Sequence, residues 1–233
     1  MINDDLLIDF GPDLYVSMQQ LGLSMITVKH LLVTHSHTDH FYAGNLEFRR
    51  RKFRKTTELP VMSMVGGPSV QMAWKHFSDT GEQEQGIRRV PILPGGQVSL
   101  PPYHVQAIEA RHDLIMGDAM NYIISDGKVK LLYASDTGLY GETMWNRLKG
   151  QRLDAVVMEA THGGKPALEV HLDYKGYAEM MSKMKEYGCA DEQTTFFACH
   201  FSHSEVRPHD KLERDLNAMG VIAAYDGLVA ELG

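Results

Sequence analysis

The chain alternates short apolar runs with longer amphipathic stretches. Leu6-Leu7-Ile8 reads as a strand closed by Asp9-Phe10-Gly11-Pro12, and His30 to Thr34 reads as a second strand. Apolar residues spaced among charges predict a helix over 41–55 and another over 70–77, with a short strand over 60–64 between them. Further strands are predicted over 103–110, 119–125, 130–134, 154–158 and 194–199. Asp126-Gly127 should join the second and third of these as a hairpin, because Gly accepts φ > 0 without strain. Tyr174 to Tyr187 reads as a helix stopped by Gly188, and residues 207–219 as a helix stopped by Gly220. A last hairpin is predicted from 221–225 and 228–232 about Asp226-Gly227. Interleaved strands and helices with frequent hairpins predict an α/β protein with mixed sheets and helices packed outside them. No repeat or Pro/Gly/Ser-rich linker divides the pattern, so residues 1–233 read as a single domain.

The amino end breaks the pattern. Asn3-Asp4 is a turn signal with only Met1 and Ile2 before it, and a hairpin needs a strand on each side. The expectation is that the natural chain begins earlier, and that the loss of at least one strand exposes a sheet edge.

Composition narrows the function classes. The longest unbroken apolar run is Val221 to Tyr225, whereas a membrane-spanning helix needs about 20 such residues. The first residues are acidic, unlike a secretory signal. Two cysteines, Cys189 and Cys199, without a CxxC, exclude a disulfide scaffold and a cysteine-based zinc knuckle. A cytoplasmic protein is expected, with no membrane partner. The formal charge of −7 argues against whole-surface binding of nucleic acid but leaves room for a local basic patch. Such a patch is Arg49-Arg50-Arg51-Lys52-Phe53-Arg54-Lys55, although a solvated helix face whose long side chains cover Phe53 is the favoured reading. The twelve histidines change the picture most.

Thr34-His35-Ser36-His37-Thr38-Asp39-His40 follows directly on the strand Leu31-Leu32-Val33. Extended residues two apart point to one side, so His35 and His37 can grip one metal ion from the strand end. Asp39 and His40, at the turn that follows, can face a second ion. Imidazole nitrogen with carboxylate oxygen suits Zn²⁺, Mn²⁺ or Fe²⁺. Two ions need further ligands, and three apolar strands end in suitable residues: Arg111-His112, Ser135-Asp136 and Cys199-His200-Phe201-Ser202-His203.

These motifs resemble those of the metallo-β-lactamase-fold hydrolases, in which HxHxDH is followed by a His, an Asp and a His at later strand ends. The resemblance runs from Leu6 to Leu232 and implies a four-layer αββα sandwich. It implies one metal site of His35, His37 and His112, a second of Asp39, His40 and His200, and Asp136 bridging the two. Asp9 matches a family acidic residue with a supporting role. The Gly-rich strand pair with which relatives begin has no counterpart before Leu6, in line with a shortened amino end. Class B β-lactamases commonly carry a Cys where this chain has Asp136, which disfavours lactam hydrolysis.

Within the superfamily, Glu159-Ala160-Thr161-His162, His171-Leu172-Asp173, Cys199-His200-Phe201-Ser202-His203 and Ala224-Tyr225-Asp226-Gly227-Leu228 are similar to the phosphodiesterase branch. That branch contains ribonuclease Z and, closer to this pattern, the phosphoribosyl cyclic phosphate phosphodiesterase. The implied activity is that of a phosphoric diester hydrolase: two divalent ions, Zn²⁺ or Mn²⁺, hold a bridging hydroxide that attacks a small or cyclic phosphodiester. Asp39 would orient the hydroxide, and His171 would protonate the departing oxygen. His203 is a candidate to bind a phosphate oxygen, and His162 to touch substrate. The alternatives are a ribonuclease Z-like nuclease, a thioester or lactone hydrolase, and a truncated metal-binding domain of low activity. Nucleic acid is a less favoured partner than a small phosphodiester, and the dimers common in the branch make a homodimer a candidate.

Overall fold

His30, Leu31 and Leu32 are all buried, as are all five residues of Met62–Gly66, the signature of strands covered on both faces. They form the centre of a parallel sheet. The computed structural model describes residues 1–54, 57–77, 81–204 and 208–233. These divide into two units, Met1–Leu93 and Pro94–Gly233, each with its own sheet.

The first unit contains β1 (Leu6–Ile8), α1 (Leu14–Gln20), β2 (His30–Leu32), a 3-10 helix (Ala43–Arg49), α2 (Arg51–Arg54), β3 (Met62–Gly66), α3 (Pro68–Phe77), α4 (Gly81–Glu84) and β4 (Ile87–Pro91). Its sheet runs β1-β2-β3-β4 and every pairing is parallel, with Leu7 opposite Leu31 and Leu31 opposite Met64. Leu31, Val33, Leu46, Met64 and Val70 are fully buried in its core. Because all four strands run the same way, the segments after β1 and β2 leave from one edge. Asp9 and the His35–His40 motif are therefore brought to that edge together.

The second unit contains β5 (Gln97–Leu100), β6 (Tyr103–Glu109), β7 (Met120–Ser125), β8 (Lys130–Ala134), α5 (Glu142–Leu148), β9 (Ala155–Glu159), α6 (Tyr174–Glu186), β10 (Thr195–Cys199), α7 (His209–Asn217) and β11 (Ile222–Ala223). Its sheet is mixed, in the order β11-β10-β9-β8-β7-β6-β5. Strands β8 to β11 are parallel, and β6 runs in their direction because two antiparallel steps separate it from β8. The carboxyl ends of β6, β8, β9 and β10 thus share one edge. His112, Asp136, Glu159 and His200 sit there.

Helix α6 shows how the local sequence builds this scaffold. Asp173 caps it by accepting from the Gly176 amide at 2.7 Å. Tyr177, Met180 and Met184 form its buried stripe at helical spacing. Burial of each such side chain stabilises the fold by about 1.5–3 kcal/mol. Gly188, at φ 68°, ends the helix in the left-handed conformation, and the Cys189 amide returns to the Met184 carbonyl at 2.8 Å.

Several expectations need correction. The helix expected over 41–55 is a 3-10 segment followed by the single turn α2, and Lys55 lies outside the described residues. Arg207, expected to open α7, also lies outside them, and α7 covers His209–Asn217. The last hairpin does not form. Its turn is made, with Gly227 at φ 92° and the Leu228 amide bonded to the Tyr225 carbonyl at 3.0 Å. However, Ile222 and Ala223 pair in parallel with β10, and residues 228–232 form no strand. Asn3 and Asp4, both at positive φ, make a turn that bridges Ile2 to Leu6.

Candidate metal centre

In the first unit the chain leaves β1 through Asp9 in a left-handed conformation, φ 61°. This conformation is uncommon for a residue with a side chain and is tolerated best by Asp and Asn. It turns the carboxylate onto the HxHxDH segment. Asp9 accepts from the Thr34 amide at 2.8 Å, from the Thr34 hydroxyl at 3.0 Å, and from His40 Nδ1 at 2.7 Å. The bond to Nδ1 leaves His40 Nε2 as the nitrogen that could take a metal. Phe10 bridges to Phe41, and its amide donates to the His40 carbonyl at 2.6 Å. Gly11 must be glycine, because a Cβ there would overlap the Asp39 carbonyl oxygen.

This frame gathers four expected ligands. His35 Nε2 and His37 Nδ1 lie 2.9 Å apart, the His35 and His40 rings are 4.3 Å apart by centroid, and His40 Nε2 is 3.5 Å from Asp39 Oδ2. His35 and His40 are buried, whereas His37 and Asp39 face out.

In the second unit the sharing atom is the carboxylate of Asp136, itself left-handed at φ 48° and buried. His200 Nδ1 is 3.0 Å from Asp136 Oδ1, and His112 Nε2 is 3.6 Å from Asp136 Oδ2. His200 also lies 3.0 Å from the Thr161 hydroxyl. Two donors on a tetrahedral zinc lie roughly 3.3 Å apart, given bonds of about 2.0–2.1 Å. Within each unit, nitrogen and oxygen donors lie at about such separations, 2.9 and 3.5 Å in the first and 3.0 and 3.6 Å in the second. The residues therefore fit divalent cations.

His171 belongs to the second cluster. Its Nδ1 donates to Glu159 at 2.9 Å and lies 3.8 Å from Asp136, and its ring stacks on that of His200. Glu159 is wholly buried at the end of β9 and also accepts from the backbone amides of Thr137, Thr161 and Leu172. Burial by itself would lower the His171 pKa. The hydrogen bond and charge of Glu159, with the charge of Asp136, outweigh it and hold the imidazole above its ordinary value. Glu159, Thr34 and Thr161 are participants to which sequence reasoning gave no role. The signal for Glu159 was present: an acid closing an apolar strand, as Asp136 does.

The remaining candidates are less engaged. The His162 ring lies 6.0 Å from that of His171 by centroid, at the edge of the cluster. His203 is exposed on the turn after β10, and among the described residues no hydrogen bond or ion pair joins it to the cluster. The basic run is engaged largely within its own unit. Arg49 is buried, donating to the carbonyls of Gln85 at 3.1 Å and Pro60 at 2.7 Å. Arg50 pairs with Glu47 and Glu84, and Arg54 donates to the carbonyls of Arg49 and Thr57. Among the described residues, no helix is long and apolar enough to cross a membrane.

The comparison with known proteins follows this geometry. A family model for a beta-lactamase superfamily domain matches residues 5–201. The chain belongs to that superfamily and has its metallo-β-lactamase α/β fold, with the His/Asp cluster of a metal-dependent hydrolase. Among solved structures, a diphosphatase from the PhnP family is similar over 100% of this chain and 83% of its own, at 20% identity and a TM-score of 0.72. The metallo-beta-lactamase fold protein YhfI from Bacillus subtilis is similar over 99% of this chain and 89% of its own, at 15% identity and a TM-score of 0.73. The short form of human tRNase Z is similar over 100% of this chain and 90% of its own, at 14% identity and a TM-score of 0.70. No curated protein matches the sequence.

Proposed function

We propose that the chain is a binuclear metal-dependent phosphodiesterase acting on a small or cyclic phosphodiester, its two clusters sharing two divalent cations. His35, His37 and His112 would hold one cation, and Asp39, His40 and His200 the other, with Asp136 common to both. Once bound, the cations would supply Lewis-acid polarisation of a phosphoryl oxygen and a hydroxide available near neutral pH.

The observation that carries this reading is the His171–Glu159 pair beside Asp136, at 2.9 Å and 3.8 Å. A phosphodiester has a poor alkoxide leaving group, and its cleavage gains from a proton delivered to that oxygen. His171 keeps Nδ1 on Glu159, which leaves Nε2 free to carry the proton. Such general-acid help is worth about 10²–10⁴-fold. Asp39, exposed at the edge of its cluster, can accept a hydrogen bond from the attacking water and orient it. His162 and His203 are proposed to contact the phosphate. The similar structures include a diphosphatase and a tRNase Z, which favours a phosphoryl substrate over a lactone or thioester.

The test is hydrolysis of bis(p-nitrophenyl) phosphate and of a 2′,3′-cyclic nucleotide by protein loaded with Zn²⁺ or Mn²⁺, beside a lactone and a thioester. Turnover of the phosphodiesters and its loss on chelation is the expected result. Turnover confined to the carbonyl substrates would overturn the reading.

A further inference from the structure

The segment that delivers His171 to the cluster, residues 163–172, lies against the turns after β6 and β8. Three contacts fasten it there. The Arg111 guanidinium pairs with the Glu169 carboxylate. The Glu169 carbonyl oxygen occupies the space where a Cβ of residue 138 would be, so only Gly138 permits the approach. His112 Nδ1 lies 3.4 Å from the Val170 carbonyl. Arg111 is itself fixed by its backbone: its amide donates to the Thr137 hydroxyl at 2.9 Å, and its carbonyl accepts from the Gly138 amide at 3.1 Å. The guanidinium therefore projects from a rigid corner beside His112 and Asp136. Its partner, Glu169, stands two residues before His171.

We infer that Arg111 is a positioning residue: by clamping Glu169 over Gly138 it fixes the reach of His171 to the departing group. This inference rests on the phosphodiesterase reading for its catalytic consequence, but not for the clamp. An ion pair as exposed as this one, 44% and 69% at the two side chains, contributes little to global stability. Its effect falls on the placement of one loop. A misplaced catalytic group costs rate steeply even where the fold is intact. Further anchors flank the pair, and the His171 amide donates across Glu169 to the Leu168 carbonyl at 3.1 Å, so the ion pair is the side-chain-to-side-chain contact that ties this stretch to the corner after β6. Asp173 accepts from the Ala167 amide at 3.1 Å, and Glu159 accepts from the Leu172 amide at 3.1 Å, on either side of Glu169.

The experiment compares wild type, Arg111→Gln, Glu169→Gln and the charge-swapped double variant Arg111→Glu/Glu169→Arg, all metal-loaded. Amide hydrogen exchange across residues 163–172 should be faster in each single variant, with the rest of the chain unchanged, and should return toward wild type in the double. Turnover should fall roughly 10-fold in each single variant with KM and bound metal unchanged, and recover in the double. The fall should be larger for the cyclic nucleotide, with its alkoxide leaving group, than for bis(p-nitrophenyl) phosphate, because p-nitrophenolate leaves without a proton. A purely structural pair would slow both substrates alike. Unchanged exchange in the single variants, or faster exchange with no loss of turnover, overturns the inference. A wild type that cleaves no phosphodiester overturns the functional reading, while the exchange measurement still decides the clamp.

Discussion

His171 Nδ1 donates a 2.9 Å hydrogen bond to Glu159, a carboxylate with no exposure to solvent. The two effects on the imidazole oppose each other. Burial disfavours the charged ring, while the adjacent carboxylate favours it and prevails. In the metal-free protein the His171 pKa should lie above the ordinary histidine value. Its contribution to stability is then fully present below the unfolded pKa of about 6.5 and is lost as pH rises through the folded value. Replacing Glu159 by Gln removes the charge and leaves the burial, so the His171 pKa should fall below that of wild type. Histidine titration by NMR in the presence of chelator checks this, and an unchanged His171 value would contradict it.

Asp9 holds His40 and Thr34 through a single carboxylate. Asp9→Asn keeps a side chain that tolerates left-handed backbone but removes the charge that fixes the His40 tautomer. Loss of such a supporting partner typically weakens metal affinity about 10–100-fold. Competition with a chromogenic chelator measures it, and an affinity equal to wild type would mean that Asp9 serves the backbone alone.

Gly11 lies against the Asp39 carbonyl with no room for a methyl group. Gly11→Ala must displace either β1's exit or the Asp39 turn, at about 1–3 kcal/mol. At roughly 2–4 °C per kcal/mol for a chain of this size, thermal unfolding should shift down by several degrees. Zinc affinity should fall with it. A melting curve superimposable on wild type would show that the turn yields freely.

The β7–β8 turn gives a pH-dependent prediction. The Val129 and Lys128 amides donate to the Asp126 carboxylate and hold its pKa below the ordinary range. The resulting stability is complete above the unfolded pKa of about 3.9 and is lost as pH falls through the folded value. Asp126→Ala should lower the melting temperature modestly at pH 7 and flatten its decline in acid. A decline as steep as that of wild type would place the acid sensitivity elsewhere.

What the sequence disclosed was what neighbouring residues decide. The HxHxDH segment, the Asp126-Gly127 hairpin and the capped helix α6 each carry their signal within one short contiguous stretch. Strand β4, Ile87–Pro91, escaped notice because two arginines interrupt it and it lies at a sheet edge, where one face meets solvent. Helix α5 is short, and its buried Met144, Trp145 and Leu148 give too few repeats to read a period. The last hairpin is absent although its turn forms: Ile222 and Ala223 pair in parallel with β10, and residues 228–232 do not add to the outer edge of β11. The position of Glu159 at a strand end is legible in the sequence, but its role is not, because that role depends on His171 being returned to it across a loop.

The central claim is that one pair of cations is held by the histidines of both units. Anomalous diffraction from zinc-loaded crystals tests it most directly. Two peaks are predicted, one ligated by His35, His37 and His112 and the other by Asp39, His40 and His200, with Asp136 reaching both. A single peak, or peaks ligated by the residues of one unit only, would contradict the account.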